Sequence, residues 1–405
     1  MCNQSLITGL GCISGAGRNL AATMANLYAG SRYPQPPQRI AYQLEKDYPV
    51  FEVPGYEWLT TDLSLCFAEI AINEALAQAG LDAETLRQYR VGVFLGSTAG
   101  CFFNKEDYYR QFRNTSHGDP SYIAQVLLRG SIAHQISERL DLHGPAFTLS
   151  NACASGTDAI GLATAMIGQG ECDIALAGGC DEIVRMVYLG FIALMNTADQ
   201  PCLPFSGRRK GLNLGEGAGI CVLESPDTVK DRKAEPLGVI AGYATAVDAY
   251  HITAPEPSGR GLKRALREAL GQADIRPEEV AFINAHGTGT LENDRVEGRV
   301  IAEIFGPETA VVATKAYTGH ALGAAGGLEA VLTVQGLIDR KIPGAPDYED
   351  YDPECGIRLY HGVREVSGQY ACSTSLAFGG VNSVLVIGGK NDSIGSWFGN
   401  GCQAW

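Results

Sequence analysis

Ser150-Asn151-Ala152-Cys153-Ala154-Ser155-Gly156 separates two stretches of different character. Before it, Ala146-Phe147-Thr148-Leu149 has the character of a short strand. After it, residues 157–168 are rich in Ala, Ile, Leu and Met and read as a buried helix. Cys153 therefore falls at a strand-to-helix turn. Its small neighbours, Ala152, Ala154, Ser155 and Gly156, permit a tight bend and the close approach of a substrate. The positive end of a helix dipole favours thiolate, the reactive form of cysteine. The arrangement matches a nucleophile elbow with Cys in place of Ser. The plainer reading is a buried cysteine acting as a small hydrophobe.

The chain has 405 residues, 45% hydrophobic and 19% charged, which describes a globular protein of two or three domains or one large duplicated unit. Its 50 glycines exceed average usage and suggest many tight turns. The net charge of -14 argues against nucleic acid or an anionic membrane as partner, and an acidic partner would need a local basic patch. No apolar run reaches transmembrane length, and Met1-Cys2-Asn3-Gln4-Ser5-Leu6-Ile7 lacks the features of a signal peptide. A cytoplasmic location is the expectation. The 12 cysteines include no CxxC pair, so neither a zinc site nor a redox motif is suggested. Reduced, buried thiols fit better.

Along the chain, residues 5–9 read as a short strand entering a turn at Gly9-Leu10-Gly11, and 30–58 as a polar surface excursion. Residues 62–79 carry an apolar helical face that Gly80 stops, and 91–95 form a buried strand. The mixed segment 101–143, helical around 125–140, is expected to cover the active site. A strand at 174–177 is expected to end at Gly178-Gly179. A polar loop follows at 196–210, and then Leu212-Asn213-Leu214-Gly215-Glu216-Gly217-Ala218-Gly219 leads into a strand. After the charged stretch 230–235 the order of elements begins again, with strands at 237–244, 280–285 and 310–313, helices at 261–270 and 326–339, and closing strands at 371–375 and 383–387. Two halves, 1–230 and 231–405, suggest an internal duplication with buried parallel sheets. The tail after Lys390 reads as loosely held.

Three further segments place polar groups at strand ends, where α/β folds build sites. Asn284-Ala285-His286-Gly287-Thr288-Gly289-Thr290 is followed by Asn293-Asp294 and Glu297. Thr314-Lys315-Ala316-Tyr317-Thr318-Gly319-His320 runs into a glycine-rich helix start that carries Glu329. Phe378-Gly379-Gly380-Val381-Asn382 is a glycine turn between strands. Singly, each has a structural explanation: a satisfied buried histidine, an ion pair of Lys315 with Glu329 or Glu297, a plain turn. His117, His134, His143, His251 and His361 are left to such roles. Those explanations do not account for one cysteine and two histidines, each at its own glycine-rich strand end. Nucleophilic catalysis needs a thiolate, proton or oxyanion partners, and room for a substrate.

These motifs, with Thr8-Gly9-Leu10-Gly11 and Asp248-Ala249-Tyr250-His251-Ile252-Thr253-Ala254-Pro255, resemble those of the elongating β-ketoacyl-acyl carrier protein synthases of the thiolase superfamily, over nearly the whole chain. The resemblance implies a thiolase-like α/β fold, two duplicated βα halves forming a layered α-β-α-β-α core. It implies that Cys153 holds the acyl chain, that His286 and His320 promote decarboxylation of malonyl-carrier protein, and that Lys315 and Glu329 set the electrostatics. The N–H groups of Cys153 and Phe378 would form the oxyanion hole, with Phe378 also gating the nucleophile. Thr288, Thr290, Gly379 and Gly380 would contact substrate, the two threonines through the pantetheine arm. No metal or redox cofactor is implied. The expected partners are an acyl carrier protein and a second copy of the chain.

Thiolases use a second catalytic cysteine, and the initiating synthases replace the second histidine with Asn. His320 disfavours both. Chain-length factors lack the nucleophile, so Cys153 disfavours that reading too. Asn151, where Thr is commoner, and Leu376-Ala377 before Phe378 depart from the fatty-acid pattern. Gly156-Thr157-Asp158-Ala159-Ile160-Gly161 and Asn293-Asp294-Arg295 are similar to ketosynthase subunits of type II polyketide systems, which act as heterodimers. Residues 58–62 lack the basic groups that often receive the carrier protein. Arg208, Arg209 and Lys210, or Arg260, Lys263, Arg264 and Arg267, are the alternatives, the second set reading equally as a solvated helix face.

Overall fold

The computed structural model describes residues 5–56, 62–98, 106–115 and 131–390. Its main feature is a mixed ten-stranded sheet. The first half contributes β1 (Ser5–Ser14), β2 (Val91–Gly96), β3 (Ala146–Leu149), β4 (Ile174–Asp181) and β5 (Gly217–Glu224). The second contributes β6 (Gly238–Val247), β7 (Val280–Asn284) and β8 (Val311–Val312), and after the small ribbon β9 (Lys341–Ile342) and β10 (Arg364–Glu365), β11 (Tyr370–Ala377) and β12 (Val381–Gly389). The order is β3-β2-β4-β5-β1-β6-β12-β11-β7-β8. Read outward from the centre, both halves follow the same scheme. β2 runs parallel to β3 and β4, as β7 does to β8 and β11. β5 then lies antiparallel between β4 and β1, as β12 does between β11 and β6. Among the described residues the two half-sheets are joined by the pairing of Ser5–Ile7 with 238–240.

The expectation of parallel sheets is thus corrected to mixed ones. Each half closes with an antiparallel strand, and β11 passes to β12 through a hairpin too short for a crossover.

Helix Leu63–Ala79 packs on the outer face of β1, β5 and β4, and helix Arg260–Ala273 on the outer face of β6 and β12. Between the half-sheets lie helices Ser155–Gly168 and Ala325–Asp339, each touching strands of both halves. This gives the layered α-β-α-β-α core. Both central helices are buried on nearly every face, as their all-round apolar sequence requires. Their approach to each other and to the strands is backbone to backbone: a Cβ on Gly156 would lie 2.7 Å from Gly327 N, and one on Gly327 2.4 Å from Gly219 O.

Several boundaries differ from the sequence reading. Gly9 and Gly11 are not a turn, since β1 continues to Ser14. They let the outer helix press on the strand: a Cβ on Gly9 would stand 2.1 Å from Ala75 O, and one on Gly11 2.0 Å from Ala71 O. β4 likewise runs through Gly178-Gly179 to Asp181. The 30–58 excursion is anchored, with Val50, Phe51 and Val53 buried and Phe51 N–H donating to Leu214 O at 2.8 Å. Of the segment expected to cover the site, helices Glu106–Thr115 and Ile132–Arg139 are seen, while 99–105 and 116–130, with Cys101 and His117, lie outside the described residues. So do Cys2, 57–61 and the tail 391–405. Among the described residues the nine cysteines are all free, eight of them buried. No described helix is long and apolar enough to cross a membrane.

Replacing Gly11 by Ala forces atoms into the Leu63–Ala79 backbone and costs about 1–3 kcal/mol in urea unfolding. Gly271, also in a regular element, has open space around its Cβ position. Gly271→Ala is therefore expected to stabilise by up to about 1 kcal/mol. Equal effects at the two positions would contradict this packing.

Candidate active site

The nucleophile loop follows β3 and precedes helix Ser155–Gly168. Ala152 has φ +47, a left-handed conformation that residues with a Cβ rarely adopt, so surrounding bonds must hold it. Its carbonyl accepts O–H groups from Ser155 at 2.6 Å and Thr98 at 3.1 Å, and Ser155 Oγ accepts Asn151 N–H at 2.8 Å. Cys153 is buried beside this turn.

His286 follows β7 on a loop drawn down by carboxylates of the next helix, Leu291–Phe305. Glu297 accepts the N–H of His286 at 2.7 Å and of Gly287 at 2.8 Å, and the Thr374 hydroxyl at 2.7 Å. Asp294 accepts the N–H groups of Thr288 (3.1 Å), Gly289 and Phe205 (2.7 Å). Glu297 thus shapes the histidine loop, whereas Lys315 pairs with Glu329. That settles the two partners left open for Lys315.

Lys315 Nζ, bound to the Glu329 carboxylate, also lies 3.0 Å from His286 Nδ1. An ammonium is donor only, so Nδ1 accepts and the proton of the neutral ring sits on Nε2. His320 reaches the same state differently: its Nδ1 accepts Leu322 N–H at 3.2 Å. Its backbone is pinned by the Asn213 carbonyl and the Gly215 N–H. The two rings meet edge to face, 5.2 Å between centroids. Burial, then the Lys315 charge, holds both histidines well below their usual range, with His320 adding to the effect on His286. Both are neutral at pH 7. Burial also pushes the Glu329 carboxyl up to about 7, against the pull of Lys315.

The thiol does not follow the helix-dipole expectation. Burial pushes Cys153 up to about 11. Lys315, the Phe378 N–H and the residue's own N–H pull it back only in part, and Asp181 opposes them. Desolvation outweighs the dipole because the sulfur is almost wholly withdrawn from solvent.

Phe378 begins the β11–β12 hairpin and stacks on Phe191, 5.4 Å between centroids. Its N–H and that of Cys153 both favour the Cys153 thiolate. A cavity of about 310 Å³ is lined by Cys153, His286, His320, Phe378, Thr288 and Thr290, among others. Gly380 also lines it; Gly379 does not. Gly379 is exposed at φ +89, with its N–H spent on Ile252 O at 2.7 Å, so its expected substrate contact is corrected to a turn role. Lys315 and Glu329 stand behind the histidines rather than on the cavity wall.

One donor atom each from Cys153, His286 and His320 lies within 4.8 Å of the others, the one such set that could hold a metal ion among the described residues. The tautomers oppose that use, because each ring offers Nε2–H, a donor, toward the open space. Of the basic runs, Arg209 is buried against Asp352 and Arg208 pairs with Glu349 and Asp350, which leaves Lys210 at the cavity. Arg264 pairs with Glu268 and Lys263 with Glu303, as on a solvated helix face.

Sequence reasoning passed over Asp181, which accepts Ser97 O–H at 2.7 Å, Thr98 N–H at 2.7 Å and Gly323 N–H at 2.6 Å. A carboxylate ending an apolar strand was the available signal.

Residues 5–228 match the family of β-ketoacyl synthase N-terminal domains and residues 237–349 that of the C-terminal domains. The chain belongs to the β-ketoacyl synthase family. This synthase chain is 34% identical to 3-oxoacyl-[acyl-carrier-protein] synthase 2 of Staphylococcus aureus, over 94% of its own length and 100% of that protein's. In structure it is similar to a chain of the ishigamide ketosynthase/chain length factor, with TM-score 0.88 and 30% identity over 96% of this chain and 99% of that one. It is also similar to a chain of a type II polyketide ketosynthase complex solved with its acyl-carrier protein and a hexaketide, with TM-score 0.88 and 26% identity over 96% and 100%.

If Cys153 is a buried thiol rather than a resting thiolate, its alkylation by iodoacetamide rises about ten-fold per pH unit between roughly pH 7 and 9.5. Peptide mass spectrometry resolves it from the other cysteines. Lys315→Met, paired with Glu329→Gln to avoid stranding a carboxylate, lowers the rate throughout. A plateau below about pH 8 would contradict this.

Proposed function

We infer that this chain is a condensing enzyme: a β-ketoacyl-acyl carrier protein synthase that extends an acyl chain by decarboxylative Claisen condensation with malonyl-carrier protein. The observation that carries this reading is the meeting of one thiol and two neutral imidazoles in a single buried cavity. The division of labour follows the two halves, with the nucleophile in residues 1–230 and both histidines in 231–405.

Cys153 Sγ attacks the carbonyl of an acyl thioester, and the N–H groups of Cys153 and Phe378 receive the developing oxyanion. Such donors are worth about 3–4 kcal/mol each elsewhere. The carrier's pantetheine sulfur leaves with the thiol proton, and the acyl group stays on Cys153. Malonyl-carrier protein then enters, with Thr288 and Thr290 beside its pantetheine arm. The Nε2–H groups of His286 and His320 converge on the malonyl thioester oxygen. As CO₂ departs, its bonding electrons form an enolate whose oxygen those donors stabilise. A neutral imidazole suits this step, because it donates a hydrogen bond without surrendering its proton. The enolate carbon attacks the acyl-Cys153 carbonyl, the tetrahedral oxygen again occupies the N–H pair, and the cysteine sulfur leaves as thiolate, taking one proton from solvent to restore the thiol. The product is a β-ketoacyl chain two carbons longer on the carrier protein. Lys315 and Glu329 fix the His286 tautomer and its field.

No metal or redox cofactor enters this scheme. The chain works in the cytoplasm as a homodimer, with an acyl carrier protein as partner and Lys210 beside the cavity as one basic contact. A second reading is a ketosynthase subunit of a type II polyketide or polyene system, paired with a chain-length-factor-like partner. The structural likeness to the ishigamide ketosynthase/chain length factor favours it.

Intact-mass analysis with a panel of acyl-carrier proteins tests the reading. Wild type gains an acyl adduct, Cys153→Ala does not, and added malonyl-carrier protein releases a product two carbons longer. Absence of an adduct with every acyl length supports the heterodimer reading if the partner subunit restores it. An adduct that persists in Cys153→Ala contradicts the assignment of the nucleophile.

A further inference from the structure

The strained nucleophile loop is held from beyond its own half of the molecule. The Asn151 side chain donates through Nδ2 to Asp158 Oδ2 at 2.5 Å. Asp158 lies in the first turn of helix Ser155–Gly168 and is 6% exposed. Its other oxygen accepts the Tyr243 hydroxyl of β6 at 2.9 Å and the Ser383 hydroxyl of β12 at 2.5 Å. Ser383 Oγ is in turn 2.9 Å from Thr245 Oγ1. The helix accommodates this contact: a Cβ on Gly161 would fall 2.4 Å from the Tyr243 ring.

The two N–H groups that favour the Cys153 thiolate come from opposite halves. One belongs to Cys153 and the other to Phe378, on the hairpin that leads into β12. Asp158 bridges the same two bodies, with Asn151 on one side and Ser383 and Tyr243 on the other. Thr157 makes a parallel tie to Ser375 of β11 at 2.8 Å. A shift of the nucleophile helix against β12 would separate the two donors; the Tyr243 and Ser383 bonds to Asp158 oppose that shift, and the Asn151 bond passes the restraint to the loop.

We propose that Asp158 is a positioning residue for acyl transfer: through Asn151, Ser383 and Tyr243 it sets the spacing of the Cys153 and Phe378 N–H groups that form the oxyanion hole. This rests on the acyl-transfer reading above. Asp158 touches no reacting atom. Its effect falls on thioester attack, which generates an oxyanion, and not on alkylation of the same sulfur, which generates none.

The test compares both reactions at Cys153 in the full-length chain, acylation by butyryl-, octanoyl- and palmitoyl-pantetheine thioesters and alkylation by iodoacetamide. Asn151→Leu removes one donor without changing charge. It is expected to slow acylation about 10–100-fold and alkylation less than about two-fold. Tyr243→Phe, a milder change, slows acylation alone by a smaller factor. The exchange Asn151→Asp with Asp158→Asn reverses the donor and acceptor, keeps the charge, and restores acylation to within about three-fold of wild type. Equal loss of both reactions in the single variants, or an exchange variant no better than Asn151→Leu, overturns the proposal. Failure of wild type to acylate with any probe, with a chain-length-factor-like partner subunit present as well as without it, overturns the acyl-transfer reading itself, and this proposal with it.

Discussion

Lys315 Nζ sits in a buried pocket between the Glu329 carboxylate and His286 Nδ1. An ammonium taken out of water loses several kcal/mol of hydration and is tolerable only when paired and fully bonded. Here the pairing does more than compensate. It places a donor on Nδ1, which puts the ring proton on Nε2, and with burial it keeps both imidazoles neutral. The chemistry inferred for the cavity depends on that state. A charged imidazolium would exchange protons with the enolate, and the opposite tautomer would offer it a lone pair.

Around this pair the site is held by carboxylates that never meet substrate. Glu297 and Asp294 gather the N–H groups of the His286 loop, and Asp181 joins the turn after His320 to the end of β2. Each carboxylate is buried and saturated with donors, the condition under which such groups organise rather than destabilise a core. The glycine contacts between the two central helices and the strands set the distance at which these networks close. Two half-sheets of repeated order present their strand ends to one cavity, which brings a cysteine from one half against histidines from the other.

The principal groups were legible in the sequence because each stands where an apolar run gives way to small and polar residues. Cys153, His286, His320 and the Phe378 hairpin all carry that local signature, and the motif resemblance ordered them. What escaped is non-local. Gly9 and Gly11 look like a turn until the helix carrying Ala71 and Ala75 is seen pressing on them. Arg209 looks like part of a basic patch, but Asp352, distant in sequence, neutralises it in the interior. Gly379 faces solvent although its neighbour Gly380 lines the cavity. The thiol departs from the dipole expectation for the same reason. A helix dipole can be read from sequence, whereas the desolvation that outweighs it depends on what the other half of the chain places above the sulfur.

The inferred decarboxylation stands most directly on the protonation of the two imidazoles. Nitrogen-15 NMR of imidazole-labelled protein at pH 7, with His286 and His320 assigned by substitution, reads it without reference to turnover. The account predicts two neutral rings, each protonated on Nε2 with Nδ1 as acceptor, unchanged as the pH falls to about 6. An imidazolium at either position, or a proton on Nδ1, would contradict it.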